Sequence, residues 1–242
     1  MIAVLGALQA EVYQMKRRIT GVESCWWAGR EMSQGDLGPR RVLCTWTGAG
    51  IAQAAITAQH ICSRYKPEII LFGGIGGALN PIYELGDIVI AEDVIQWDID
   101  TAAIGGGIGA FPGRQNDSRW VRELPADPAL RKRLEQHCAG HAGKVYKGRF
   151  LSGDRFIPIK NGAEERGALN KALGGDIADM ESSSIALAGK LNNTPVVLLR
   201  IVSDTVRAER PANFRKFIDR ASETIADIFE SFIKASIRQD PR

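Results

Sequence analysis

The chain is poor in the residues on which many chemistries depend. Among 242 residues there are three histidines and four cysteines, and only 7% are aromatic. Cys25, Cys44, Cys62 and Cys138 stand far apart with no C-x-x-C pair, which argues against a disulfide framework or a zinc ribbon and points to reduced thiols. His137 and His141 are separated by Gly140 and have no third ligand nearby, so no metal site is expected. No G-x-G-x-x-G, G-x-x-x-x-G-K, H-E-x-x-H or G-x-S-x-G pattern is present, which removes dinucleotide, P-loop, zincin and serine-elbow readings. No apolar run is long enough to span a bilayer. No basic region precedes the first apolar run, so no signal peptide is read and a cytoplasmic protein is expected. Neither sign of charge dominates, with 31 basic and 28 acidic residues and a net charge of +3. The basic residues occur in short groups such as Lys16-Arg17-Arg18, not in the dense face of a nucleic-acid binder.

What is present is an ordinary globular composition, 45% hydrophobic and 24% charged, with glycine enriched to 26 residues, about 11% against ~7% on average. Val- and Ile-rich runs at 2–5, 42–46, 69–72, 87–95, 144–151, 177–180 and 196–202 read as strands. They alternate with helical periodicity at 11–19, 51–65, 128–138, 161–173, 183–191 and from Phe214 onward. Asp127-Pro128 reads as a cap and first-turn proline, and Asn161 with Glu164 as a cap and its partner. In the last helix Phe214, Phe217, Ile218, Ala221, Ile225, Ile228, Phe229, Phe232 and Ile233 form one stripe, so it packs on a core. Strands that are apolar throughout predict an α/β fold, a single-domain three-layer sandwich over 1–242 with a mixed central β-sheet flanked by helices. The glycine run 73–77 reads as a turn after the 69–72 strand. The irregular, glycine-rich stretch 101–119 is long enough to be functional or to lie at an interface.

In open α/β sheets ligands bind beyond the carboxyl ends of strands. Here those ends carry Glu11, the turn Thr47-Gly48-Ala49-Gly50, the glycine run, Ser152-Gly153-Asp154-Arg155-Phe156-Ile157, Glu181 and Ser203-Asp204. With no histidine beside a strand end, acid–base chemistry falls to carboxylates. Converging carboxylates suit glycosyl transfer, in which one acid protonates the leaving group and one base activates water. Each acid alone could instead cap the helix that follows its strand.

The set is more specific than its members. Gly6-Ala7-Leu8-Gln9-Ala10-Glu11-Val12, Gly86-Asp87-Ile88-Val89, Ser152–Ile157, Asp179-Met180-Glu181-Ser182, Arg200-Ile201-Val202-Ser203-Asp204 and Asn213-Phe214 follow in order across nearly the whole chain. This pattern resembles the methylthioadenosine/S-adenosylhomocysteine nucleosidases of the purine nucleoside phosphorylase superfamily. The resemblance implies a cofactor-free N-glycosidase that uses water as co-substrate to split adenine from a 5′-thio-substituted ribose. It makes Asp204 the acid toward the purine seven-position nitrogen, Glu11 the base on water and Glu181 the acceptor of ribose hydroxyls. By the same resemblance Met180 packs under the ribose, Phe156 stacks on the purine and the Ile157 backbone reads the purine edge. Ala49 and Gly77 line the sugar side, Ser203 belongs to the substrate site, and Phe214 closes over the 5′ substituent. It also implies a homodimer in which the 101–113 loop reaches the partner's site.

The chain departs from the family pattern in places. Gln9 and Ala10 replace usual glutamates, Trp97-Asp98 stands where a His-Asp pair is common, and Asp179 replaces a more common glutamate. Ile75 occupies a turn that often holds threonine, leaving no hydroxyl for a phosphate. Three alternatives stay open at the level of sequence: a hydrolase of another purine-type nucleoside such as futalosine, a phosphorylase, and a nonenzymatic polysaccharide binder. Glu11 near the first loop, which has no arginine, disfavours a bound phosphate.

Overall fold

The computed structural model describes residues 1–113, 119–159, 162–207 and 210–235. In chain order the elements are β1 (Ile2–Gly6), α1 (Gln9–Arg18), β2 (Thr20–Trp27), β3 (Arg30–Leu37), β4 (Arg40–Trp46), α2 (Ile51–Tyr65), β5 (Ile69–Ala78) and β6 (Ile88–Gln96). Next come three two-residue strands, β7 (Phe111–Pro112), β8 (Trp120–Val121) and β9 (Leu124–Pro125). The chain continues through α3 (Pro128–His137), β10 (Val145–Ser152), α4 (Ala163–Leu173), β11 (Ile177–Asp179), α5 (Ser182–Asn192), β12 (Val196–Asp204) and α6 (Phe214–Ala235).

The apolar runs pair side by side in one mixed sheet of order β11-β10-β6-β12-β5-β1-β4-β3-β2, with β9 added on β6. β5 is parallel to β1 and β12, whereas β12 meets β6 antiparallel. One face is packed by α2 and α5, which place Ala54, Ala58, Ile61, Ile185 and Ala188 against it. The other is covered by α1, α3 and α6 through Val12, Met15, Leu134, Ile225, Phe229 and Phe232. Burial on both faces explains why these strands are apolar throughout and not alternating. The α6 stripe lies at full depth, with Ala226, Ile228, Phe229, Phe232 and Ile233 entirely buried. No helix among the described residues is long and apolar enough to cross a membrane.

One sequence expectation needs correction. Residues 73–77 do not form a turn, because β5 runs on through them to Ala78, paired with β12 as far as Asp204 opposite Gly77. These glycines are sites of close approach. A Cβ on Gly73 would stand 2.6 Å from Ile225 and 2.9 Å from Phe229, and one on Gly76 would stand 2.6 Å from Ile177. One on Gly74 would collide with Arg200 and Glu11. The β2–β3 hairpin, which no sequence expectation covers, extends the sheet beyond β4. Its outer strand is exposed along almost its whole length and mixes Val22, Trp26 and Trp27 with polar residues, so it carries no buried pattern to read. The Asp127 cap holds, its carboxylate accepting from Leu130 N at 2.9 Å with Pro128 next in line. The Asn161 cap lies outside the described residues. In the 101–113 segment Thr101 ties the chain back on itself through Gly107 and Ala110, which leaves Ile104 and Ile108 exposed.

Candidate active site

The ends of β5, β11 and β12 and the segments following β1, β4, β10 and β11 open into one cavity of about 780 Å³, a size ordinary for small-molecule sites. All ten residues singled out from the sequence line it: Glu11, Ala49, Gly77, Phe156, Ile157, Met180, Glu181, Ser203, Asp204 and Phe214. Glu11, Glu181, Ser203 and Asp204 sit at depth, none more than 6% exposed, whereas Phe156 is 65% exposed at the rim.

Glu11 combines two roles. Its Oε2 accepts from Ala7 N and Leu8 N, both at 2.8 Å, completing half of a capping box at the start of α1. Its Oε1 reaches across to Ile75 N in β5 at 2.9 Å, which fixes the carboxylate against the glycine strand. The capping alternative is therefore part of the answer, but it leaves Glu11 in the cavity wall.

Asp179 does cap its following helix, accepting from Glu181 N and Ser182 N. It also accepts from the Ser152 and Ser182 hydroxyls, which is how the Ser152-Gly153-Asp154 motif is tied to β11. Burial acts to raise its pKa, but Arg200 and these hydroxyls outweigh burial and hold it below the ordinary carboxylate value. Arg200, 1% exposed, donates through Nε to Asp179 at 2.8 Å and through Nη2 to Glu181 at 3.2 Å. Its guanidinium lies 4.4 Å over the Phe72 ring. Burial alone would lower the Arg200 pKa, yet Asp179, Glu181 and Glu11 together raise it. The Glu181 side chain makes no bond to its own helix. Its Oε1 instead accepts from Gly50 N at 3.1 Å, at the start of α2. Burial, aided by Asp179 and Glu11 and opposed by Arg200, pushes its carboxyl up from 4.5 to about 7. Asp154 accepts from Ile51 N at 3.0 Å, holding the phenylalanine-bearing loop against the same helix end.

Asp204 stands on an irregularity in β12, where the register against β5 shifts between Val202 and Asp204. Such bulges re-aim side chains. Gly77 opposite has no Cβ to fill the space 2.9 Å from Asp204 Oδ1. The Ser203 hydroxyl lies 2.8 Å from Asp204 Oδ2. Arg166 of α4, 2% exposed, brings Nη1 to 2.5 Å from Asp204 Oδ1. That contact is a charge pair that is not aligned as a hydrogen bond, so Oδ1 is buried without a hydrogen-bond donor among the described residues.

Arg166 carried no sequence signal. Within Glu164-Glu165-Arg166-Gly167 it reads as one charge on a solvated helix face. Arg200 lay inside a quoted motif but on an apolar strand, where nothing local marks it as the cation for Asp179 and Glu181. Three buried carboxylates on different walls of one cavity can hold a ligand between a group that protonates and a group that deprotonates.

The chain matches the model of the family described as the Phosphorylase superfamily over residues 1–234. A 5′-methylthioadenosine/S-adenosylhomocysteine nucleosidase of Staphylococcus aureus (strain bovine RF122 / ET3-1) is 30% identical over 234 residues, 96% of this chain and 99% of that protein. The enzyme of the same name from Staphylococcus haemolyticus is 28% identical, covering 97% of this chain and 99% of that one. Among solved structures, the Campylobacter jejuni nucleosidase shares the fold at a TM-score of 0.88, with 22% identity over 97% of this chain and 98% of that one. A futalosine hydrolase mutant of Helicobacter pylori shares it at 0.84, with 20% identity over 97% and 98% of the two chains.

Proposed function

Because this chain belongs to the phosphorylase superfamily, we propose that it is an N-ribosyl hydrolase cleaving 5′-methylthioadenosine and S-adenosylhomocysteine to adenine and the thio-ribose. The observation that carries this reading is the convergence of three buried carboxylates, Glu11, Glu181 and Asp204, on one cavity. Asp204 shares a proton with the purine seven-position nitrogen as the bond from C1′ to the base breaks. Glu11, fixed by three backbone N–H groups, orients water and takes its proton as the oxygen bonds to C1′. Glu181 accepts from ribose hydroxyls, an interaction that strengthens as the sugar becomes cationic. Met180 supports the ribose, with Ala49 and Gly77 on its other side. Phe156 stacks on the base, and the Ile157 backbone reads its edge. Ser203 steadies Asp204, and Phe214 covers the 5′ substituent. The exposed Ile104 and Ile108 support a homodimer in which this loop reaches the partner's site. A cytoplasmic role in methionine salvage completes the reading.

Hydrolysis is favoured over phosphorolysis because an attacking phosphate would meet Glu11 and Glu181, while Arg200, the cation between them, is held by Asp179 and Glu181. Adenine release from methylthioadenosine, S-adenosylhomocysteine and adenosine, with and without phosphate, tests this. Release from the thio-nucleosides is expected to be independent of phosphate; strict dependence on phosphate would make the protein a phosphorylase.

A pH profile follows from Glu181. Its ionised form is the better acceptor, so kcat/KM is expected to rise with pH through about 7. Stability runs the other way. The native carboxyl keeps its proton between 4.5 and about 7, where the unfolded chain has lost it, so this contribution is complete below 4.5 and lost as pH rises through about 7. Glu181→Gln is expected to lower kcat/KM and flatten that limb, and an unchanged limb would assign it to another group.

A further inference from the structure

We propose that Arg166 is a specificity-determining residue that extends the pocket to nucleosides of 6-oxopurines. The inference rests on the placement of the base between Asp204 and the Ile157 backbone proposed above.

The guanidinium of Arg166 bridges the two groups that face the base edge. Nη1 stands 2.5 Å from Asp204 Oδ1, and Nη2 donates to the Ile157 carbonyl at 3.1 Å. Nη1 also lies 3.3 Å from the Ala78 carbonyl and 3.5 Å from that of Thr205. Its Nε is buried with no hydrogen-bond partner among the described residues. Gly77 leaves the cation open toward the cavity, since a Cβ there would stand 3.3 and 3.4 Å from the two terminal nitrogens.

In a purine the substituent at C6 lies between the seven-position nitrogen and N1. A base that places the former on Asp204 and its edge on Ile157 therefore brings C6 to the guanidinium that joins them. Arginine has only donors. A 6-amino group is itself a donor and must compete with Arg166 for the Asp204 and Ile157 oxygens, whereas a 6-oxo group is an acceptor that the guanidinium can bind. The advantage grows during reaction. As the C1′–N9 bond breaks, its electron pair leaves on the base, and in a 6-oxopurine part of that charge resides on O6, beside a fixed cation. Water supplies the oxygen that bonds to C1′, Glu11 takes one water proton, and the base leaves with one proton added, as for the adenine nucleoside.

The test uses the full chain and two substrates that differ only at C6, 5′-methylthioinosine and 5′-methylthioadenosine, with base release followed by chromatography. The wild-type protein is expected to release both hypoxanthine and adenine. Arg166→Met is expected to lower the ratio of kcat/KM for the 6-oxo substrate to that for the 6-amino substrate by about tenfold or more, the scale set by one lost polar contact to substrate. A ratio taken within one protein is insensitive to partial loss of folded enzyme. Arg166→Lys, which keeps the charge but not the fork, is expected to fall between the two and serves if the Met variant does not fold. No hypoxanthine release by wild type, or an unchanged ratio in both variants, would overturn the proposal while leaving the nucleosidase reading intact. Release of neither base would overturn that reading and the proposal with it.

Discussion

Asp204→Asn is expected to lower kcat for methylthioadenosine by on the order of 10³, within the range that a positioned acid contributes. The amide matches the carboxylate in shape but cannot share a proton with the departing purine in the same way. Substrate binding should change far less, because the cavity walls and Glu181 are untouched. A riboside with p-nitrophenolate as leaving group, which departs without a proton, should retain most of its rate. That contrast separates loss of the acid from general damage to the site. The structure adds a consequence for stability, since the substitution leaves Arg166, at 2% exposure, without the only carboxylate paired with it among the described residues. Carbonyls of Ala78, Ile157 and Thr205 still receive it. The cost is therefore expected near the lower end for a broken buried pair, roughly 3 kcal/mol, and rates should be read well below the melting temperature. A folded Asp204→Asn protein with near-normal kcat on methylthioadenosine would remove Asp204 from the mechanism.

Arg200→Met is expected to be the most destabilising single change in the site. The methionine fills part of the volume beside Phe72, but Asp179 and Glu181 lose their cation while remaining buried. Removing one side of such a network costs about 3–5 kcal/mol. At roughly 2–4 °C per kcal/mol for a chain of this size, the melting temperature should fall by about 10 °C. The effect on activity should exceed what unfolding explains. With Arg200 gone, the main influence lowering the Glu181 pKa is lost and its proton is held more firmly, so the acid limb of kcat/KM should move to higher pH. Arg200→Lys restores a charge but not the planar fork, and should recover part of the stability with less of the activity. A Met variant that melts within a degree or two of wild type would show that these carboxylates do not depend on Arg200.

The amino-acid sequence alone determined the layers of this protein. Apolar β-branched runs alternating with amphipathic segments require a sheet covered on both faces, and the stripe from Phe214 to Ile233 requires a helix on a core. Those signals are local, continuous apolar runs in the strands and a repeat of three to four residues in the helices, so they survive being read along the chain. It also placed Glu11, Glu181 and Asp204 at strand ends, where the fold brings them into one cavity. Tertiary structure decided what the glycines are for. Residues 73–77 look like a turn until α6, Arg200, Ile177 and Asp204 are seen pressing on an extended strand. It also decided the cations. Arg166 and Arg200 are read as a surface charge and a strand residue because charge pairing obeys distance in space and leaves no period in sequence. Which carboxylate each arginine meets depends on β12 lying between β5 and β6, and on α4 returning its Arg166 beside Gly77. No window of sequence contains that information.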